Sequence, residues 1–158
     1  MRIFDIPNYG KIQIKNVLFD VNGTIQINGK IPSKLKKELR KLKSYFNVYL
    51  ISADTRGNLN QIALELGVTA IKISVSEFLE SKAKNDELIK LGKEETIAIG
   101  NGNNDHMMLK NAIIGIAILG KEGLSSKTFM NSDLIFSNSL DAILFLMDEK
   151  KVIATLRN

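Results

Sequence analysis

Val17-Leu18-Phe19-Asp20-Val21-Asn22-Gly23-Thr24 decides how the chain is read. An apolar run carries one carboxylate out at its end, and the chain then turns through an Asn-Gly pair to a hydroxyl. A short apolar run bounded by turn residues reads as a buried strand, so a strand is predicted over 16–19 with Asp20 at its exit. Gly23 lets the backbone approach an anion closely, and the amides of Val21 and Asn22 are placed to face one. Strand, acid, glycine turn and hydroxyl at this spacing suit a phosphate and a metal ion. The plainer alternative is a strand followed by a type I′ turn.

Outward from this stretch, residues 1–15 hold short alternating segments around Pro7-Asn8-Tyr9-Gly10, read as a strand or hairpin leading in. Residues 25–31 alternate with period two around Asn28-Gly29, a hairpin signal. Pro32-Ser33 opens a helix with Ser33 as its N-cap. Further strands are predicted over 48–51, 68–73, 96–99, 114–118 and 134–136. Helices are predicted over 58–66, closed by Gly67, over 76–91, closed by Gly92, and over 105–111 and 140–147. Residues 152–156 are read as a last strand. Strands alternating with helices argue for a parallel sheet covered on both faces. The expected class is therefore α/β, a doubly wound, Rossmann-like sheet in one domain spanning 1–158.

Composition narrows the function classes. No apolar stretch approaches the ~18 residues of a membrane span, and the first residues lack a signal peptide's apolar core. With no cysteine, disulfides and thiolate metal sites are excluded and the cytoplasm is the expected compartment. The net charge of +5 favours anionic partners. Much of it comes from Lys34, Lys36, Lys37, Arg40, Lys41 and Lys43, interleaved with Leu35, Leu39 and Leu42 at helical spacing. That pattern is an amphipathic helix with a solvated basic face. No aromatic residue stands among those lysines to stack on bases, so nucleic acid is the weaker partner.

In such a sheet ligands bind beyond the carboxyl ends of the strands. Asp20, Ser52 and Asn101 fall at three of those ends. Ser52-Ala53-Asp54-Thr55-Arg56-Gly57 sets a hydroxyl and free amides before a helix, where negative charge is favoured. The plain alternative there is an N-cap region. Gly100-Asn101-Gly102-Asn103-Asn104-Asp105 is a polar, glycine-punctuated loop feeding another helix.

Taken together and in this order, these segments resemble the four motifs of the haloacid dehalogenase (HAD) superfamily. The closest likeness is to the phosphorylation domain of P-type ATPases and its soluble relatives, over about residues 16–147. The resemblance implies that Asp20 is a nucleophile forming an aspartyl-phosphate, a covalent route that splits a hard hydrolysis in two. Asn22 stands at the family's second-acid position, and Ser52 and Lys84 complete the catalytic set, with Lys82 as the alternative lysine. Val21, Gly23, Ser52, Ala53, Lys84 and Asn104 would bind the phosphate. Magnesium would be held by Asp20, the main-chain carbonyl of Asn22 and the side chain of Asn101, with Asp105 and Asn104 in support.

Two departures from the family pattern matter. Asn22 and Asn101 stand where acids are usual, and an amide exchanges no proton at neutral pH. Loss of a general acid/base typically removes ~10²–10⁴ in rate, so slow turnover is expected. A neutral amide oxygen still ligates a hard cation but contributes less than a carboxylate, so weakened magnesium affinity is expected while anion binding is kept. Spacing between Asp20, Ser52 and Lys84 leaves no room for a cap domain, so the site is open unless a second copy or a large substrate closes it. Its partner would be a phosphorylated small molecule or a phosphoprotein. His106, the lone histidine, is read as a capping or surface residue, and Met107, Met108 and Leu109 as core. The implied activity is a slow, magnesium-dependent phosphohydrolase; the alternative is a degenerate relative that binds a phospho-ligand or protein partner.

Overall fold

A computed structural model describes residues 1–74 and 79–157. Its centre is β3 (Asn16–Asp20), every residue of which is buried. The same holds for β6 (Thr96–Gly100) and β7 (Ile114–Ile118). Strands buried on both faces belong to the interior of a parallel sheet. With β4 (Asn47–Ser52), β5 (Thr69–Lys72) and β8 (Leu134–Phe136), they form a six-stranded sheet ordered β5-β4-β3-β6-β7-β8, all pairs parallel. The strand order reverses direction between β3 and β6.

Alternate residues of each strand feed two cores, as the pleat requires. Val17, Phe19, Leu50, Ile97, Ile99 and Ile116 enter one. There they meet α1 (Ser33–Leu42), α2 (Leu59–Leu66), α6 (Ser139–Met147) and α7 (Glu149–Leu156). Leu18, Ile51, Ala98 and Ala117 enter the other, against Leu88 of α3 (Glu80–Leu91) and Met108 and Leu109 of α4 (His106–Asn111). The doubly wound α/β sheet expected from the alternation of elements is the one observed. An antiparallel ribbon, β1 (Arg2–Ile6) and β2 (Gly10–Ile14), leads into β3. Among the described residues no helix is long and apolar enough to cross a membrane.

Several local expectations are corrected. Residues 152–156 are helical, in α7, not a strand. Asp148 caps that helix by accepting from the Lys151 amide at 3.3 Å, and Val152 packs into the core. Three residues with strand preference were thus overridden by a cap and a docking face. Ser33 is the first helical residue of α1 and its side chain caps nothing; Pro32 precedes it, where its fixed φ suits a helix entry. The 25–31 hairpin is reduced to a single antiparallel bridge, Ile27–Lys30, around Asn28 (φ 50) and Gly29 (φ 77). Both central residues at positive φ make it a type I′ turn. The Asn22-Gly23 pair is not such a turn, since only Gly23 has positive φ there. Met107 is half-buried while Met108 and Leu109 are fully buried. A short helix, α5 (Ser126–Phe129), was not foreseen. The predicted start of the 76–91 helix at 76–78 lies outside the described residues.

Gly115 in β7 lets α4 pack against the sheet, because a Cβ there would overlap the backbone carbonyl of Leu109. Backbone cannot swing aside as a side chain does. Gly115→Ala is therefore expected to destabilise the protein by about 1–3 kcal/mol or more, read as a lower urea midpoint with unchanged slope.

Candidate active site

The reversal of strand order between β3 and β6 opens a crevice at their carboxyl ends, where doubly wound sheets bind ligands. Parallel register sets the positions. Asp20 lies opposite Ile51, so Ser52 stands one residue beyond it on β4. Phe19 lies opposite Ile99, which brings Gly100 and Asn101 to the same edge. Lys84, from the distant helix α3, is fully buried and reaches Asp20 Oδ1 at 2.7 Å and Asp105 Oδ1 at 2.7 Å. Lys82 is exposed, so Lys84 is the lysine that reaches Asp20. The exit of β3 and the loop after β6, remote in sequence, thus meet on one ammonium group carried by α3.

The last loop is held from within. Asp105 is fully buried, and its Oδ2 accepts the amides of Asn101 (3.0 Å) and Gly102 (2.9 Å). Thr24 Oγ1 lies 3.2 Å from Asp20 Oδ2 and 3.1 Å from Asn101 Oδ1. A hydroxyl has one hydrogen, so it serves one of these oxygens at a time. Gly23 sits at φ +80, and a Cβ there would lie 2.6 Å from Asn101 Nδ2 and 2.9 Å from Glu122 Oε2. Only glycine fits that closeness and that backbone conformation.

On the β4 side, Ser52 is buried and its Oγ accepts the Asp54 amide at 2.9 Å, which leaves its O–H to donate. Asp54 anchors the start of α2: Oδ1 accepts the Leu59 amide at 2.9 Å and Oδ2 pairs with Lys72 at 3.1 Å. The Leu59 amide first, and Lys72 after it, hold the Asp54 carboxyl below its usual range. Val21 is buried beside Asp20, and Ala53 is half-buried. Asn104 is turned to Glu80 Oε1 (2.7 Å), which also pairs with Lys84 at 3.6 Å. His106 Nδ1 lies 2.7 Å from the Asn103 carbonyl oxygen and 3.2 Å from Ser81 Oγ, closing its own loop as a capping residue does.

Sequence reasoning passed over Glu80, Arg56 and Glu122. Glu80 stands four residues before Lys84, a helical pairing that spacing announces. Arg56 Nε donates to Asn22 Oδ1 at 3.2 Å, a contact between two loops that no local pattern signals.

Burial first, and the neighbouring Asp105 carboxylate after it, raise the Asp20 pKa to about 7 against the opposing pull of Lys84. Burial pulls Lys84 downward, but the charges of Asp20 and Asp105 more than reverse this and keep it protonated well above the usual lysine range. Two carboxylates share one ammonium, so above about pH 7, where Asp20 is ionised, the group carries one negative charge in excess. Among the described residues no three His, Cys, Asp or Glu side chains are grouped to hold a metal. The oxygens brought together are the carboxylate of Asp20 and the amide oxygen of Asn101, both within reach of Thr24 Oγ1, with Asp105 joined to Asp20 through Lys84. An all-oxygen set with few carboxylates suits a hard cation that keeps several waters, such as magnesium, rather than zinc.

No family model matches the chain. The structure superposes on 3-deoxy-D-manno-octulosonate 8-phosphate phosphatase from Moraxella catarrhalis, crystallised with magnesium, phosphate and the sugar acid. That match has a TM-score of 0.70 at 20% identity and covers 91% of this chain and 94% of the other. It also superposes on a phospho-aspartyl intermediate analogue of phosphoserine phosphatase, with a TM-score of 0.63 at 19% identity, covering 84% and 98%. These are HAD-superfamily phosphatases, and at such identities they establish the fold. In sequence, 87 residues are 41% identical to the uncharacterized protein MJ0073 of Methanocaldococcus jannaschii, spanning 55% of this chain and 88% of that protein. The chain has the HAD-like fold and belongs to one family with MJ0073.

Proposed function

We propose that the chain is a capless phosphohydrolase working through an aspartyl-phosphate on Asp20. One observation carries this: Lys84 bridges Asp20 and Asp105 at 2.7 Å each, at the carboxyl edge where the strand order reverses. A buried carboxylate held by a buried ammonium is costly to keep without a task, since desolvating two ions often outweighs their attraction.

In the proposed reaction an Asp20 oxygen attacks phosphorus while Lys84 balances the charge gathering on the phosphoryl oxygens. Ser52 Oγ–H and the amides of Val21 and Asn22 donate to those oxygens, as preorganised donors do where charge develops. The Gly23 amide is taken by the Gln26 carbonyl at 2.9 Å, so Gly23 serves by letting the backbone come close. Ala53 continues that lining; Asn104, engaged by Glu80, acts through the wall of the site. Asp20, Asn101 and the carbonyl of Asn22 would hold magnesium, with Asp105 supporting them from behind Lys84. The ion would supply further neutralisation of the phosphoryl charge. The neighbouring phosphatase crystallised with magnesium and phosphate supports this choice, and the motif order favours a phosphorylation-domain-like branch. Asn22 brings no proton, so turnover is slow.

With magnesium and acetyl phosphate, the protein should release phosphate and yield an acid-stable phosphoryl adduct of one phosphate per chain. Asp20→Asn should abolish both, and Lys84→Ala should lower the rate by about 10²-fold or more. Beryllofluoride or phosphate binding with no turnover in either parent or Asp20→Asn would instead identify a phospho-ligand-binding relative.

The charge state of Asp20 is testable without turnover in metal-free protein. Its folded pKa of about 7 lies above the unfolded value of about 3.9. Between these pH values the native state keeps a proton that the unfolded chain has lost, so native stability falls as pH rises from about 4 to 7. Asp20→Asn has nothing to ionise there and should lose that fall, measured as urea midpoints across the range.

A further inference from the structure

Asn22 is half-buried, and Arg56 Nε approaches its Oδ1 at 3.2 Å. A guanidinium only donates, so the amide is fixed with its oxygen toward Arg56 and its NH₂ turned away. Among the described residues Nδ2 of Asn22 has no protein acceptor. The second position of the nucleophile loop therefore offers a hydrogen-bond donor that cannot give up its proton.

Other groups that could protonate a leaving oxygen are engaged. Both oxygens of Asp54 are taken, by the Leu59 amide and Lys72. Both oxygens of Asp105 are taken, by Lys84 and by the amides of Asn101 and Gly102. Glu80 is bound to Asn104 and Lys84, and His106 faces Asn103. Among the acidic side chains of the described residues, the exposed Glu122, near Gly23, is the rival.

Resting on the phosphohydrolase reading, we propose that the substrates are activated phosphates, in which the departing oxygen is stable as an anion, and that Arg56 is a positioning residue selecting them through Asn22. Acyl phosphates, phosphoanhydrides and aryl phosphates form this class; simple alkyl phosphates do not. In the first step an Asp20 oxygen bonds to phosphorus and the bond from phosphorus to the leaving oxygen breaks. Both electrons go with that oxygen, which is met by an N–H of Asn22 and takes its proton later from solvent. In the second step a water oxygen bonds to phosphorus, the bond to Asp20 breaks, Asp20 leaves as a carboxylate, and the water proton passes to solvent.

The test is kcat/KM with magnesium for acetyl phosphate, an alkyl phosphate and aryl phosphates whose phenols have pKa values from about 5 to 10. This ratio reports the phosphorylation step. The parent should lose close to tenfold for each unit of leaving-group pKa, the dependence expected when no proton is transferred. Arg56→Ala should steepen the slope, costing the poorest leaving groups roughly 10–100-fold while sparing acetyl phosphate, as loss of one aligned donor does. Arg56→Lys, still a donor, should restore part of that. A shallow slope in the parent, with turnover abolished by Asp20→Asn, would overturn this proposal and leave the phosphohydrolase reading standing. So would a slope that steepens in Glu122→Gln, which assigns the proton to Glu122. Equal losses across the series in Arg56→Ala would overturn the role of Arg56. A parent inert even toward acetyl phosphate would overturn the phosphohydrolase reading, and this proposal with it.

Discussion

One buried ammonium group organises the carboxyl edge of this protein. Lys84 has no exposure, so leaving it unpaired would cost several kcal/mol. It can be satisfied only if α3, the exit of β3 and the loop after β6 stand where they do. The sheet supplies the frame: parallel register fixes Asp20, Ser52 and Asn101 at one edge before any side chain is considered. Lys84 then ties the loops to that frame. Stability and site geometry are the same constraint seen from two sides.

The two faces of the sheet divide the labour. The larger core packs α1, α2, α6 and α7 together with the β1–β2 ribbon. The smaller one, under α3 and α4, is where the site's own supports are rooted. Leu88 anchors the helix that carries Lys84, and Met108 and Leu109 anchor the helix that follows Asp105. The basic face of α1 is partly neutralised, since Lys36 pairs with Glu65 at 2.7 Å and Arg40 donates to the Glu65 carbonyl oxygen.

Much of this was legible in the sequence, for physical reasons that differ by residue. Strands such as 114–118 are buried on both faces, so their apolar runs have no ambiguity of period. Gly67 and Gly92 close α2 and α3 because both take left-handed conformations there. The 152–156 segment misled because β-branched residues favour strands only where a sheet edge receives them; here a cap and a docking face were decisive. In the site, Asp20 and Lys84 could be read from motif order, since their spacing is set by whole elements. The contact of Arg56 with Asn22 could not, because it joins two loops whose approach depends on the tertiary fold.

Thr24 shows what kind of site this is. Its hydroxyl stands between two acceptors, Asp20 Oδ2 and Asn101 Oδ1, with a single hydrogen to offer. Whichever oxygen does not receive that hydrogen keeps a lone pair that Thr24 cannot satisfy. Two oxygens competing for one hydrogen are a pair that a single hard cation, such as the proposed magnesium, would satisfy together.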